Sequence, residues 1–301
     1  MDLLILSRKA ELYSTRRLVE EGQKAGHSVQ VWDPGQPADL CFFPATVIIP
    51  RLGSYEFAQA LTVLEAFEER GMKSLNSSES YRHARNKWTV AQTLQKYNLP
   101  LPRTELLPKL GSEVATSTAP PLSIKLQDPA GIKNFSAIND FSPLTNSSIS
   151  LPCIMKRLES SQGEGVYLVH SPEQWMEIRQ RYTDEALLMQ EWIEESQGED
   201  IRAFVVNNEV VAAMKRKALP GEFRSNLHLG GIGEKCTLKS EEASMAVELC
   251  QKLQLTVAGI DLLRSHRGSL ILEANPCPGL EGIEKYSQIN VAKKIIETLG
   301  V

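Results

Sequence analysis

Short apolar runs alternate with amphipathic stretches over the first 84 residues. The runs DLLILS, SVQVW and TVIIP have the length and apolar character of buried strands. Between the first two runs, Ser14 can cap a helix that Gly26 ends. A second helix is indicated by one apolar stripe, which consists of Phe57, Leu61, Leu64 and Phe67. Strand and helix in turn predict a parallel sheet of the doubly wound type.

The pattern changes after this first region. A helix and a proline-rich break lead to residues 111–150, whose Ser, Thr, Pro and Asn content predicts an elaborated loop or a small irregular insert. Strand-like runs then dominate, and two of them flank Asn207 and Asn208 as the arms of a hairpin would. The fold class predicted is therefore α/β plus α+β. The predicted domains are an N-terminal α/β unit at residues 1–84, a central unit at residues 85–190 and a C-terminal unit at residues 191–301.

Polar side chains interrupt the last strand, LILEAN. Alternation along a strand places Ile271, Glu273 and Asn275 on one face. A hairpin that turns over Ser265–Gly268 would place Asp261 directly opposite Glu273. Two opposed carboxylates repel each other unless a cation lies between them, and these residue types supply the hard oxygen ligands that Mg2+ prefers. The pattern favours a metal site over the alternative, which is a solvated strand face.

Two loops have the composition of anion-binding segments. Gly163 and Gly165 lie between two predicted strands, where backbone amides could approach an anion, and Lys156 precedes them. An ordinary hairpin turn is the alternative. The second loop, MKRKALPGEFRSNLHLGGIG, gathers basic side chains that recognise phosphate or carboxylate groups, and its alternative is a solvated basic loop. A metal site, a glycine turn and an arginine cluster are together the parts that phosphoryl transfer requires.

Composition narrows the class of protein. A formal net charge of -4 gives no electrostatic reason to expect nucleic acid as a ligand. The 5 cysteines are scattered and lack CxxC spacing, so we expect them to be reduced rather than joined in disulfides or bound to zinc. No apolar run approaches the roughly 20 residues of a membrane span, and the N-terminus has no basic leader. We therefore expect a cytoplasmic protein that binds neither nucleic acid nor a membrane.

The order of several segments along the chain is informative about the class of protein. They are Lys156 on its strand, the glycine turn, MQEWI, GEDIRAFVV, FRSNLH, VAGIDLL and LEANPCPGLEGIE, with ILSRKAELYSTRRL and IPRLG in the first unit. In this order they resemble the ATP-grasp superfamily, and within it the RimK-type glutamate ligases. The resemblance covers nearly the whole chain. It implies an ATP-grasp fold that follows an N-terminal pre-ATP-grasp domain.

The resemblance also implies roles for individual residues. The residues implied to bind ATP are Lys87, Lys156, Gly163, Gly165, Glu191, Trp192, Ile193, Asp200, Arg224, Ser225 and Asn226. Among them, Arg224 and Asn226 would act at the reaction centre. Arg202 and Arg216 would hold acidic groups of the substrate. The metal ligands would be Asp261, Glu273 and Asn275.

The chemistry implied by the resemblance is carboxylate activation with ATP and Mg2+, with two ions expected and Mn2+ as a substitute. ATP would phosphorylate a carboxylate, and the amine of L-glutamate would attack the acyl phosphate to give an amide, ADP and phosphate. The acceptor implied is the acidic C-terminus of a protein or peptide, which in the family is a small-subunit ribosomal protein. A small-molecule acceptor and a catalytically silent nucleotide-binding regulator are the alternatives. The family further implies a homo-oligomer.

Three residues depart from the family pattern. Ser160 stands where the glycine turn of relatives often begins with glycine, Trp192 replaces a usual tyrosine, and Leu229 occupies the place of a common arginine. Because the last change removes a positive charge near a substrate segment, these departures bear on substrate identity more than on ATP binding.

Overall fold

The computed structural model describes residues 1–36, 47–54, 56–110, 147–160 and 163–300. Most of the predicted insert therefore lies outside the described residues. The chain forms two compact units. Unit 1 consists of Met1–Pro102, Leu158–Gly165 and Ile193–Val301, and unit 2 consists of Arg103–Arg157 and Val166–Trp192.

The secondary-structure elements are numbered in chain order. The strands are β1 (Asp2–Leu6), β2 (Ser28–Trp32), β3 (Val47–Pro50), β4 (Lys73–Ser74), β5 (Thr104–Leu107), β6 (Cys153–Arg157), β7 (Val166–Val169), β8 (Leu187–Glu191), β9 (Glu199–Val206), β10 (Glu209–Lys217), β11 (Ile232–Lys235), β12 (Val257–Ser265) and β13 (Gly268–Asn275). The α-helices are α1 (Tyr13–Lys24), α2 (Phe57–Glu68), α3 (Ser78–Arg85), α4 (Lys87–Lys96), α5 (Pro172–Arg181), α6 (Ser240–Lys252), α7 (Leu280–Ser287) and α8 (Val291–Glu297).

The N-terminal sheet of unit 1 is parallel, in the order β2-β1-β3-β4. This confirms the doubly wound sheet predicted from the alternating pattern. The predicted apolar stripe of α2 packs in one core cluster with β1 and β3. The predicted cap at Ser14 is wrong, because Ser14 lies inside α1 and its hydroxyl accepts a hydrogen bond of 2.9 Å from the backbone N–H of Leu280. It thus satisfies one of the unpaired N–H groups at the start of α7.

The C-terminal sheet of unit 1 has five strands in the order β11-β10-β9-β12-β13, and every neighbouring pair is antiparallel. The predicted hairpin over Asn207 and Asn208 joins β9 to β10, and both residues have the positive φ angles that such a turn requires. Helix α6 packs on one face of this sheet. Helices α7 and α8 pack on the apolar part of the other face.

One hydrophobic core joins the two sheets of unit 1. It contains Leu3, Ile5 and Leu18 from the N-terminal part together with Ile283 and Ile295 from the C-terminal helices. The predicted division at residues 84 and 190 therefore differs from the two compact units, since the first and last parts of the chain bury their apolar side chains against each other. Contacts of this kind between distant parts of the sequence leave no local pattern.

Unit 2 is a four-stranded antiparallel sheet in the order β5-β8-β6-β7, with α5 on one face. Ser171 caps α5 by accepting a hydrogen bond from the backbone N–H of Gln174. Cys153 and Met155 face the core beside α5, so the alternation of β6 places Lys156 on the opposite face. Within the described ranges, no helix is long and apolar enough to cross a membrane. Four cysteines there are free thiols, and Cys41 lies outside those ranges.

Candidate functional site

The hairpin β12–β13 brings together the two carboxylates that the sequence predicted to be opposed, with a shift of register between them and the turn. Ser265 pairs with Gly268 at the turn, and Asp261 lies directly opposite Glu273. Gly259 pairs with Asn275, two positions further from the turn. The two carboxylates and the amide therefore come from adjacent positions on neighbouring strands.

The predicted alternation along β13 is wrong at one position. The register shifts between Asp261 and Leu262, so that Leu262 pairs with Ile271 and Leu272 becomes an extra residue in its strand. A bulge of this kind reverses the faces of the residues before it. Ile271 consequently lies fully buried in the same core cluster as Ala274, whereas Glu273 is only half-buried.

One face of the C-terminal sheet is divided into an apolar part and a charged part. Phe204 and Val206 of β9 point into the core beneath α7 and α8. Earlier on the same strand, Asp200 pairs with Arg216 of β10, and Arg202 pairs with Asp261 of β12. Because directly opposed residues share a face, four charged side chains collect at the end of the sheet that the helices do not cover.

These four side chains form a buried charge network, which we define as Asp200, Arg202, Arg216 and Asp261. Arg202 donates two hydrogen bonds of 2.7 Å to the two oxygens of Asp261. Arg216 donates two of 2.6 Å to Asp200 and a third of 2.8 Å to Asp261. The Ser225 hydroxyl donates to Asp200 over 2.5 Å. All five side chains are buried, so the network is screened little by solvent.

The network holds Asp261 and Arg216 in the charged state. Burial alone would raise the pKa of Asp261, but the charges and hydrogen bonds of Arg202 and Arg216 outweigh it and lower that pKa well below its usual range. Burial would likewise lower the pKa of Arg216, yet Asp200 and Asp261 raise it above its usual value. Asp261 is therefore an anion at neutral pH despite its position inside the protein.

The two arginines predicted to hold acidic substrate groups are thus bound to carboxylates of the chain itself. The sequence contained a signal for one of these pairs, since the predicted hairpin over Asn207 and Asn208 already placed Asp200 near Arg216 on the adjacent strand. The pairing of Arg202 with Asp261 required the long-range contact between β9 and β12, which the local pattern does not reveal.

Asp261, Glu273 and Asn275 supply oxygen donors of the kind that a magnesium ion prefers. Oδ1 of Asp261 accepts one hydrogen bond, from Arg202, and a carboxylate oxygen has a second lone pair available. Oδ1 of Asn275 accepts one hydrogen bond of 2.9 Å, from the backbone N–H of Cys277. Across the described part of the chain, no group of three or more His, Cys, Asp or Glu side chains could hold a metal ion, so a site here depends on the amide oxygen.

The loop after β10 places Arg224 beside the glycine turn. Glu222 accepts hydrogen bonds from the Arg224 backbone N–H (2.9 Å), Nε (3.0 Å) and Nη2 (2.8 Å). Nη1 donates to the carbonyl oxygen of Gly163 over 3.0 Å. These bonds with Arg224 lower the pKa of Glu222 to about 2. The sequence prediction did not include Glu222, although an acid two residues before an arginine is a local signal for such a pair.

The backbone angle and the close neighbours at position 163 require a glycine. Its φ is +82°, and a Cβ atom there would lie 3.1 Å from Oδ1 of Asn226 and 3.3 Å from Cδ1 of Leu229. Glycine avoids both the backbone strain and the close contacts. The predicted glycine turn and the predicted FRSNLH segment therefore meet in unit 1, and Leu229 adds an apolar contact to this junction.

Lys87 opens helix α4 in unit 1. Its Nζ donates hydrogen bonds to the backbone carbonyl oxygen (2.7 Å) and the hydroxyl (3.0 Å) of Ser160, and its backbone N–H donates to Leu158. Asn86 caps the same helix by accepting from the backbone N–H groups of Trp88 and Thr89. The departure at Ser160 thus supplies a hydroxyl to a lysine that was predicted to bind phosphate.

Unit 2 holds three of the predicted nucleotide residues, which are Lys156, Glu191 and Trp192. Nζ of buried Lys156 donates to Oε1 of Gln190 over 2.7 Å. The carboxylate of Glu191 accepts two hydrogen bonds of 3.1 Å from Arg103, one from its backbone N–H and one from its side chain. Trp192 is the last residue of unit 2, and Ile193 begins the next segment of unit 1. The partners Gln190 and Arg103 were not predicted.

Comparison with known proteins identifies the family to which the chain belongs. Residues 84–299 match the RimK-like ATP-grasp domain family, and residues 1–38 match the RimK pre-ATP-grasp domain family. A protein of Haemophilus influenzae named "Probable alpha-L-glutamate ligase" is 35% identical over 324 residues, which cover 100% of this chain and 98% of the relative.

Solved structures agree with this assignment at the level of the fold. A RimK domain ATP-grasp protein from Sphaerobacter thermophilus has a TM-score of 0.70 and 14% identity, with 100% of both chains covered. The ATP-grasp ligase PsnB, complexed with minimal precursor, Mg and ADP, has a TM-score of 0.67 and 14% identity, covering 99% of this chain and 96% of that one. The predicted ATP-grasp fold and the predicted class of ATP-dependent ligase are confirmed. The chain belongs to the RimK-like ATP-grasp family.

Proposed function

We propose that this ligase activates a carboxylate as an acyl phosphate and joins it to the amine of L-glutamate, with release of ADP and phosphate. The observation that carries the proposal is the placement of Asp261, Glu273 and Asn275 at adjacent positions of one hairpin, beside a network that keeps Asp261 charged. The name of the Haemophilus influenzae relative supports glutamate as the amine.

The residues have separate tasks in this proposal. Lys87 and Lys156 bind the nucleotide phosphates, and Glu191, Trp192 and Ile193 contact the adenine. Asp200, Ser225, Gly163 and Gly165 complete the nucleotide site. Asp261, Glu273 and Asn275 hold Mg2+, with two ions expected and Mn2+ as a substitute. A bound Mg2+ would offset the negative charge of the phosphate groups.

Arg224 and Asn226 act at the reaction centre. Glu222 fixes the Arg224 guanidinium on one edge and the Gly163 carbonyl fixes it on the other, so the group is oriented before substrate arrives. An oriented guanidinium can stabilise the charge that develops on the transferred phosphoryl group and on the tetrahedral oxyanion. Arg202 and Arg216 act indirectly, by keeping Asp261 ionised and in place. The acyl phosphate forms on the substrate, so no nucleophile of the protein is required.

The proposed acceptor is the acidic C-terminus of a protein or peptide, with a small-subunit ribosomal protein as the first candidate. A small-molecule acceptor is the alternative within the same chemistry, and a catalytically silent nucleotide-binding regulator is the alternative outside it. We also propose a homo-oligomeric assembly in the cytoplasm, which light scattering of the purified protein would test.

A coupled assay tests the proposal. Purified protein is incubated with ATP, Mg2+, each amino acid in turn and a set of acceptors, which includes small-subunit ribosomal proteins and glutamate-terminated peptides. We expect glutamate to stimulate ADP release, and mass spectrometry to show acceptors heavier by whole glutamyl residues. Nucleotide binding without stimulation by any amino acid would instead support the silent regulator.

A matched pair of variants tests the metal site. Glu273→Gln removes a proposed ligand with little change in volume, and we expect ADP release to fall at least about 100-fold because the phosphate charge is no longer offset. Glu209→Gln changes an exposed acid in the β9–β10 turn and should leave the rate unchanged. Equal rates for the two variants would contradict the metal role of Glu273.

A further inference from the structure

Two half-buried arginines of unit 1 form no ion pair with a carboxylate of the described residues. Arg202 and Arg216 are neutralised by aspartates, and Arg224 is neutralised by Glu222. Arg51 and Arg85, by contrast, are half-buried and form no ion pair within the described ranges. A cation that is partly withdrawn from water without an anion loses hydration and gains little in return. Such a pair is a candidate binding site for an anionic ligand.

Arg51 is tied to the segment that follows Asn275. It comes directly after β3, and its backbone N–H donates to Leu6 over 2.8 Å. Its Nη2 donates to the carbonyl oxygen of Pro278 over 2.8 Å. Asn76 holds the same segment by donating to the carbonyl oxygen of Pro276 over 3.0 Å. The guanidinium of Arg51 is therefore fixed three residues beyond a proposed metal ligand.

Arg85 reaches the same place from the end of α3. Its guanidinium carbon lies 4.3 Å from the centroid of the Phe57 ring, and that ring lies 6.5 Å from the ring of Tyr81. Tyr81 donates a hydrogen bond of 2.7 Å to the carbonyl oxygen of Pro50, the residue before Arg51. Electrostatic interactions join Tyr81 to both Arg51 and Cys277, and join Arg85 to Tyr81 and Cys277.

The positive charges at this place are the guanidinium groups of Arg51 and Arg85. Burial lowers the pKa of Arg85, while Cys277, Tyr81 and Glu159 act in the opposite direction. A carboxylate placed between Arg51 and Arg85 would form charge-assisted hydrogen bonds with both groups. It would replace the hydration that each guanidinium has partly lost. Tyr81 and Phe57 would form the apolar wall beside it.

We propose that Arg51 and Arg85 bind the side-chain carboxylate of the amino acid whose amine attacks the acyl phosphate. This inference rests on the proposed function and assigns the substrate class at that site. The pair selects an amino acid with an acidic side chain, because the neutral side-chain amide of the isostere carries no charge to pair with either guanidinium. A carboxylate of the acceptor has the same chemistry, so the experiment must separate the two sources.

Steady-state kinetics with matched variants test the assignment. Arg85→Met should raise the KM for glutamate by about 10- to 100-fold, with little change in the KM for ATP or the acceptor, since it removes charge-assisted hydrogen bonds to one substrate only. The preference for glutamate over glutamine should fall by a similar factor. Arg51→Lys keeps the charge and should show a smaller increase. Arg82→Met, on the same helix but exposed, is the control and should match the unaltered protein.

Each other outcome has a defined meaning. An unchanged KM for glutamate in Arg85→Met and Arg51→Lys would overturn the proposed role of the two arginines. Amide formation by the unaltered protein would still support the ligase function in that case. A raised KM for the acceptor alone would assign the pair to the acceptor and overturn the assignment to the amino acid. If no amide forms, calorimetric titration with glutamate tests the assignment separately. Glutamate binding that is lost in Arg85→Met would support the assignment even though the ligase function had failed. An absence of glutamate binding to the unaltered protein would overturn both the assignment and the proposed function.

Discussion

Two buried arginines, one in each unit, illustrate opposite ways of placing a charge inside this protein. Arg216 in unit 1 is 3% exposed and donates three hydrogen bonds to Asp200 and Asp261. Arg179 in unit 2 is 2% exposed, and its Nη2 donates to the carbonyl oxygen of Pro108. Its Nε and Nη1 have no hydrogen-bond partner in the part of the chain that the structure describes.

The difference shows what burial of a guanidinium requires. Both groups lose hydration, which costs several kcal/mol for an isolated ion, on the order of the whole stability of a domain. Around Arg216, the aspartates offset that loss and raise the pKa of the arginine. Around Arg179, burial lowers the pKa without an opposing contribution, and the adjacent Trp175 also leaves its Nε1 unpaired. We infer that removing one partner from the charge network destabilises unit 1, whereas removing the Arg179 charge, which is incompletely paired among the described residues, stabilises unit 2.

The largest expected effect comes from breaking the network. Arg216→Met leaves Asp200 and Asp261 buried with less compensation, and we expect the free energy of unfolding to fall by about 3–5 kcal/mol. Urea denaturation measures this change. Lys215→Met is the control on the neighbouring position, because its exposed pair with Glu199 should contribute less than about 1 kcal/mol. Equal effects of the two substitutions would refute the special stability of the network.

A smaller effect is expected from a third buried charge, Glu242. Its carboxylate is fully buried and accepts hydrogen bonds from Arg264 (2.7 and 2.8 Å) and from the Ser269 hydroxyl (2.7 Å). Burial would raise its pKa, but these partners lower it to about 2. The folded pKa lies below the ordinary value, so the stabilisation is present above about pH 4.3 and is lost as the pH falls toward the folded value.

Comparison with Glu242→Gln across pH measures this contribution. We expect the unaltered protein to be more stable by about 1–2 kcal/mol near neutral pH, a figure reduced because the Arg264 side chain is partly exposed to solvent. The advantage should shrink between about pH 4.3 and 2. An advantage that stays constant through this range would show that Glu242 titrates normally in the folded state.

The smallest expected effect has the opposite sign. Arg179→Met removes an incompletely paired charge and keeps an unbranched side chain that can fill the space beside Trp175. We expect unit 2 to gain about 1 kcal/mol, because an unsatisfied buried group carries a desolvation penalty of that order. Thermal unfolding followed by tryptophan fluorescence detects the gain. Arg181→Met, on an exposed turn of the same helix, should change little, and a loss of stability in Arg179→Met would mean that the guanidinium is well compensated.

Local sequence patterns predicted the parts of the fold that depend on interactions between residues close together in the sequence. The turn over Ser265–Gly268 predicted the hairpin and brought Asp261 close to Glu273, but their direct pairing depends on the one-residue shift at Leu272. The doubly wound sheet followed from the alternation of apolar runs and amphipathic helices. The bulge beside Leu272 could not be predicted, since the same residues are compatible with an unbroken strand.

Long-range contacts account for the rest. Leu3 and Ile295 pack in one hydrophobic core, so the predicted N-terminal and C-terminal domains belong to one compact unit. Because β9 pairs with β12, Arg202 binds Asp261 instead of a substrate. In each case the residue types were recognised correctly as chemically important or apolar, but their partners lay far away in the sequence. Residue type therefore predicted which positions matter better than it predicted what each one contacts.

The most direct test of the central proposal follows an oxygen atom. The acceptor found in the mass-spectrometric screen is prepared with heavy oxygen in its carboxylates and incubated with the protein, ATP, Mg2+ and unlabelled glutamate. If the carboxylate is activated as an acyl phosphate, attack by the glutamate amine leaves one carboxylate oxygen on the phosphate that is released. We predict one heavy oxygen in phosphate for each amide formed, and release of unlabelled phosphate or of labelled AMP would contradict the account.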